Sequence, residues 1–301
     1  MNNACNDNEQ AQGTQNIISL KISRLRKWHE SRHQKLMERC KKGEYSGYVA
    51  TAYEGRGLLS SITIYDRQHF NSTLHYHENT HVSLVIHGGC REKKKVDYER
   101  LPGMLTFYHA GEPHQIMQVG SYSRHINLEI EQNFLKRYQL DDDRVEEALK
   151  NNPDGKFVLL KMQHELLTRD AATEVSIRML LLDFIHSAEQ RKRPVPNWIN
   201  RIRELVEDNW NEQLGLESLS AAAGVHPVTV CKYFHRHFGC TLGQYLRKLK
   251  VERALALISH GDRSLSEIAH YCGFADQSHF IRSCKQLTGF LPGKLQHLSL
   301  G

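Results

Sequence analysis

Two stretches are dense in histidine: LHYHENTHVSLVIHGG (74–89) and PGMLTFYHAGEPHQI (102–116). Imidazole is a good ligand for transition metals and a versatile hydrogen-bonding group. His75 and His77 are two apart, so on a strand both rings point to the same side. If that side faces inward, three or four of His75, His77, His81 and His114 can converge. Such a cluster could hold a transition metal, though nothing in the pattern requires a cofactor. The same rings could instead line a pocket for a small molecule, or simply hydrogen-bond to one another.

A second set of chemistry-bearing residues lies in an internal repeat. LESLSAAAGVHPVTVCKYFHRHFG (216–239) aligns with LSEIAHYCGFADQSHFIRSCKQLTG (265–289). Leu216 matches Leu265, Leu219 matches Ile268, and Gly224 matches Gly273; with a one-residue offset, Lys232 matches Arg282 and Gly239 matches Gly289. Each copy reads as a short helix with small residues, a glycine turn and a second helix. Glycine can take φ > 0 there at no steric cost. This is a helix-turn-helix pattern, and the second helix of such a unit enters the major groove of DNA. In the second copy Gln277, Ser278, His279 and Arg282 lie near the start of that helix. Gln can pair with adenine and Arg with guanine through bidentate contacts. In the first copy the candidates are Val228, Thr229, Cys231 and Lys232. That set suits thymine-methyl contacts and phosphate clamping. Between the copies, LGQYLRKLKVERALALI (242–258) reads as one helix of roughly 25 Å. Such a rod could hold two recognition helices about one DNA turn, ~34 Å, apart.

Cys231, His235, His237 and Cys240 resemble metal ligands only superficially. On one helix 231 and 235 share a face while 237 lies elsewhere, and no second half-site is near. No P-loop, GxGxxG after a strand, HExxH or GxSxG occurs. An enzyme is therefore not expected.

The elements that must position these groups differ along the chain. Residues 1–16 read as a polar tail, and 17–42 as a helix. Between 21 and 42 nine basic residues face two acidic ones. That segment is either an accessory contact to DNA phosphates or a solvated face. Short runs rich in β-branched and aromatic residues follow at 48–53, 59–65, 81–87, 104–109, 114–119 and 125–130. Gly and Pro punctuate them, which indicates a sandwich or small barrel. From 131 to 190 the period is helical. Ile177, Leu180, Leu181, Phe184, Ile185 and Ala188 form one apolar stripe, able to pack on the barrel or on a second copy. The expected division is 1–44 tail and basic helix, 45–190 β-barrel with a helical dimerisation segment, 191–196 (RKRPVP) linker, and 197–301 all-α domain. The fold class is α+β multidomain.

Composition is consistent with this plan. The chain has 301 residues, 25% charged and 40% hydrophobic, with a net charge of +6. That excludes a wholly disordered chain and permits nucleic-acid binding. No apolar run is long enough to span a membrane. Seven cysteines without a CxxC pair, and an N-terminus without an apolar signal core, point to reduced thiols in the cytoplasm.

Residues 197–298 resemble the DNA-binding domain of the AraC/XylS family of bacterial transcription regulators. AAAGVHPVTVCKYFHRHFG, YLRKLKVERALALI and, above all, IAHYCGFADQSHFIRSCKQLTGFLP carry the resemblance. It implies that residues 228, 229, 231 and 232, and 277, 278, 279, 281 (Ile281) and 282, face DNA. Cys284 stands where the family usually has Phe, and Leu295 where it usually has Tyr; both are core positions. The histidine-rich part resembles the cupin-type sensor barrel that precedes this domain in many such regulators. By that resemblance His81 occupies the place of the acidic ligand of metal cupins and His114 that of their second-motif histidine. The implied protein is a homodimeric, effector-controlled activator: operator DNA, RNA polymerase and a small-molecule effector are its partners. Two rivals remain open, a metal-dependent cupin enzyme tethered to DNA and a ligand-independent protein whose barrel only pairs subunits.

Overall fold

The computed structural model describes residues 37–189, 195–212 and 214–300. The basic segment up to residue 36 and most of the expected linker lie outside the described residues. Ten strands come first: β1 (Glu38–Cys40), β2 (Tyr48–Gly55), β3 (Leu58–Asp66), β4 (His75–His77), β5 (Thr80–His87), β6 (Cys90–Lys93), β7 (Asp97–Arg100), β8 (Leu105–Tyr108), β9 (Gln115–Val119) and β10 (Tyr122–Ile130). Helices follow: α1 (Gln132–Arg137), α2 (Asp142–Asn151), α3 (Gly155–Thr168), α4 (Thr173–Glu189), α5 (Asn197–Asp208), α6 (Leu216–Ala223), α7 (Pro227–Phe238), α8 (Leu242–His260), α9 (Leu265–Tyr271), α10 (Gln277–Thr288) and α11 (Pro292–Leu300). A β-sheet region thus precedes a helical one, as the α+β expectation requires. No described helix is long and apolar enough to cross a membrane.

The strands form three sheets, ordered β2-β3-β10-β5-β8, β7-β6-β9 and the parallel pair β1-β4. The large sheet is two-faced. Leu58 and Ile62 of β3, Val82, Leu84 and Ile86 of β5, and Ile126, Leu128 and Ile130 of β10 join an apolar cluster with α1–α4. The alternate positions Ser61, Thr63, His81, Ser83, His125, Asn127 and Glu129 are also buried, but they are polar. Period-2 alternation here separates an apolar from a polar interior, instead of core from solvent.

Part of that polar interior is hydrogen-bonded, which offsets the cost of burying it. Asn127 Nδ2 donates to Thr63 Oγ1 at 2.7 Å, and its Oδ1 lies 3.2 Å from His81 Nε2. Opposite, the Arg100 guanidinium donates to Glu92 at 3.2 Å, to Tyr108 Oη at 3.0 Å and to the Ser83 carbonyl at 3.1 Å. Tyr108 in turn donates to Glu92 at 2.8 Å. Arg100 and Glu92 are the charges that make β6 and β7 look unlike buried strands in sequence.

Two expectations need correction. The helix expected to run to residue 42 gives way to a strand at Glu38–Cys40, which pairs with β4 from His75 to His77. Backbone pairing with a neighbouring strand overrides the local helical pattern. The stripe of α4 is also not a free dimerisation face. Ile177, Leu181, Phe184, Ile185 and Ala188 are buried within the chain, in the same cluster as residues of α2 and α3.

The apolar cluster does not stop at the end of the sheet region. It continues through Val251, Ala254 and Ile258 of α8, Ile268 and Ala269 of α9, Phe280 and Cys284 of α10, and Leu295 of α11. Polar contacts flank this junction. Lys156 pairs with Glu252 at 2.5 Å, Lys248 with Asp154 at 2.7 Å, and His87 Nδ1 donates to the Ser259 carbonyl at 2.7 Å. The first helical unit has its own core of Ile202, Val206, Leu219, Val230, Phe234, Cys240 and Tyr245.

Because the α4 stripe is core, Leu181→Ala should cost about 2–5 kcal/mol of stability, read by urea unfolding. Met179→Ala, on the exposed side of the same helix, should stay within about 0.5 kcal/mol. Equal effects at the two positions would contradict the packing described.

Candidate functional site: a duplicated nucleic-acid interface and a buried histidine cluster

The two helix-turn-helix units are built by one local rule. After α6, Gly224 takes φ +65°, its N–H donates to Ala221 O, and Val225 N–H reaches back to Ser220 O at 3.1 Å. After α9, Gly273 takes φ +68°, its N–H donates to His270 O, and Phe274 N–H reaches back to Ala269 O at 2.9 Å. This paired bonding satisfies the last carbonyls of the helix and needs a left-handed residue at its end. The second turn is also locked from outside. A Cβ on Gly273 would sit 2.3 Å from Asn211 O, and Lys250 Nζ of α8 donates to Gly273 O at 2.6 Å.

Caps then set the start of each recognition helix. Asp276 accepts from His279 N–H at 2.6 Å and starts α10. His226 Nδ1 accepts from Val228 N–H at 3.3 Å, ahead of Pro227 at the first turn of α7. The rod between the units, α8, opens with a reciprocal capping box of Thr241 and Gln244.

Burial sorts the faces. On α10, Phe280, Ser283, Cys284 and Thr288 point into the core, leaving Gln277, Ser278 and Arg282 exposed and His279 and Ile281 half-buried. The His279 ring stands edge-on to Phe274 at 5.4 Å. On α7, Val230, Phe234 and His237 are buried, while Val228, Cys231 and Lys232 are exposed and Thr229 is half-buried. Each expected base-reading set therefore occupies the side of its helix away from the core. Cys284 and Leu295, where the sequence departs from the family pattern, are both buried core residues.

The four histidines of the sheet region also come together. Cα pairing places His75 opposite His114, with backbone hydrogen bonds of 3.0 and 2.9 Å in both directions. The ring centroids of His75 and His114 are 4.4 Å apart, those of His77 and His81 4.5 Å, and those of His77 and His114 5.3 Å. All four residues are buried. Tyr108 lies against both His81 and His114, and Tyr45 against His77 and His81. Burial, reinforced by the neighbouring imidazoles, pushes His77 down to about 2 and holds His81 and His114 well below the usual histidine range. His77, His81 and His114 are therefore neutral near pH 7 and can act as lone-pair donors.

The sequence reasoning missed several groups here. Cys40, Tyr45, Arg100, Tyr108, His125 and Glu129 all belong to the polar interior. Cys40 lay within a run that reads as helix, and Arg100 lies on a strand of unpatterned polar residues. No signal in the primary structure links Cys40 to His77, because only the β1–β4 pairing joins them.

Comparison with known proteins now bears on the helical part. A protein-family profile described as "Helix-turn-helix domain" matches residues 219–297. The "Bifunctional transcriptional activator/DNA repair enzyme AdaA" of Bacillus subtilis is 29% identical over 108 residues, which are 36% of this chain and 51% of that protein. The "HTH-type transcriptional activator RhaS" of Salmonella arizonae is 32% identical over 82 residues, 27% of this chain and 30% of that protein. The chain thus spans about half, or less, of the length of these relatives. Among solved structures, ToxT from Vibrio cholerae aligns over 82% of this chain and all of its own, at 11% identity and a TM-score of 0.35. Residues 219–297 are thus a helix-turn-helix domain, shared with these relatives.

The two turn glycines should separate in a substitution test. Gly224→Ala meets no neighbour and should cost only the left-handed conformation, about 1–2 kcal/mol. Gly273→Ala adds the clash with Asn211 O and should cost roughly 1–3 kcal/mol more. Chemical denaturation of both variants checks this. Equal losses would mean that the second turn is not held as described.

Proposed function

We propose that the protein is a sequence-specific transcription regulator that binds double-stranded operator DNA. The observation that carries this reading is the duplicated helix-turn-helix, with Val228, Thr229, Cys231 and Lys232 on one recognition helix and Gln277, Ser278, His279, Ile281 and Arg282 on the other. Arg282 and Lys232 combine an exposed cation with a place on the outward side of a recognition helix, where phosphate and base edges are reached. The α8 rod, 19 residues long, spans ~28 Å at ~1.5 Å per residue. That is comparable to the ~34 Å repeat of B-DNA, so one chain can address two successive major-groove segments. RhaS and AdaA, whose names call them transcriptional activators, share this region, and that supports activation through RNA polymerase over repression.

The sheet region is the sensing part in this reading, with a cupin-like barrel whose interior takes a small effector near His75, His77, His81 and His114. Its link to the DNA-binding part is short. Strand β5 carries His81 on the polar side, and Leu84 and Ile86 on the side that packs towards α8 and α11. A ligand that draws on His81 differently in two domain arrangements would shift their populations, and only such a ligand would. A homodimer would have to use a surface other than the buried α4 stripe.

A binding selection from random duplex DNA with the full-length protein would supply its site. On that site Arg282→Ala should weaken binding by roughly 1–3 kcal/mol and relax one base position. Lys232→Ala should weaken binding more evenly across sequences. If Arg282→Ala leaves both affinity and preference unchanged, α10 does not read bases and the proposal fails in its main point.

A further inference from the structure

The histidine cluster has a fifth member that changes its chemistry. Cys40 lies at the end of β1, in parallel register with His77 of β4. Both side chains are buried, and ligand atoms of Cys40, His75 and His77 all lie within 4.8 Å of one another. Backbone pairing alone produces this convergence: β1 against β4 sets Cys40 beside His77, and the His75–His114 bridge brings in a second chain segment.

The hydrogen bonds around the rings fix which atoms are available. His75 Nδ1 lies 2.8 Å from the Thr73 carbonyl, and His114 Nδ1 lies 3.0 Å from the Glu112 carbonyl. A carbonyl can only accept, so each Nδ1 carries the proton and each Nε2 presents a bare lone pair. A ring nitrogen tied to a backbone carbonyl is the usual support of a metal-ligating histidine. His77 Nδ1 is buried with no hydrogen-bond partner. An unpaired buried nitrogen of this kind costs stability unless something occupies it.

We propose that Cys40, His75 and His77 form a binding site for a soft or borderline divalent transition ion, zinc above all, with His114, whose ring lies 4.4 Å from that of His75, as a fourth ligand. One thiolate and two or three neutral imidazoles suit zinc, whereas a carboxylate-rich set would favour harder ions. A cysteine ligates a metal as the thiolate, so the Cys40 thiol must give up its proton to bind one. Metallation exchanges that proton for the ion, with one proton released to solvent and no change of oxidation state. Cys40 stands outside both histidine-rich segments, so the site exists only when the N-terminal strand is in place.

The inference rests on the sensing role of the sheet region only for its regulatory meaning; metal binding is measurable without DNA. The full-length protein, stripped of metal, is titrated with Co2+ and then with Zn2+. We expect one Co2+ per chain, a thiolate-to-cobalt charge-transfer absorption, and its loss on addition of Zn2+. Cys40→Ser should abolish that absorption. Cys90→Ser, at another buried thiol, should retain it. His75→Gln should lose the stoichiometric ion. Near-ultraviolet circular dichroism of each metal-free variant reports folding. If Cys40→Ser does not fold, X-ray absorption of the wild-type zinc protein decides without a variant: a shell containing sulfur supports the site. Absence of stoichiometric metal, a purely nitrogen and oxygen shell, or undiminished charge transfer in folded Cys40→Ser would overturn it.

Discussion

The structure depends on a five-stranded sheet that must satisfy two different interiors at once. On one side β3, β5 and β10 present Leu58, Ile62, Leu84, Ile126, Leu128 and Ile130 to helices. On the other they present Ser, Thr, Asn, Glu and His to a closed polar space. The apolar side supplies the burial that stabilises the fold. The polar side gains little net stability, since each hydrogen bond there replaces one to water, but leaving a partner out would be costly. Buried nitrogens left there without a partner, such as His77 Nδ1 and His81 Nδ1, are costly to keep.

The same sheet ties the β region to the helical region. The apolar cluster on its outer side runs without a break into α8–α11, while α5–α7 keep a separate core. The two helix-turn-helix units are therefore not equivalent in their attachment. The second packs against α3 through α10; the first is held by α5 and by the start of α8. Strand β5 meets α8 and α11 directly, so a change there reaches the α8 rod before either recognition helix.

Much of this was legible in the sequence where local rules decide. The turn glycines Gly224 and Gly273 and the alternation of core and exposed positions on α10 follow from left-handed geometry and the helical period. The runs at 59–65, 81–87 and 125–130 show their β-branched content openly. The less legible parts are those that long-range pairing decides. Strands β6 and β7 carry Glu92 and Arg100, whose burial is possible only because each meets the other and Tyr108. Strand β1 is three residues long and sits in a run with helical periodicity. The stripe on α4 correctly marked a buried face, but periodicity cannot say whether the chain itself or a second copy covers it.

The central claim is that one chain reads DNA with two recognition helices. The most direct measurement is a guanine-methylation protection footprint of the full-length protein on its selected site. The account predicts two protected major-groove clusters per bound chain, about one helical turn (~10 bp) apart, with the cluster under α10 lost in the Arg282→Ala variant. A single protected cluster per chain, or protection that does not depend on sequence, would contradict it.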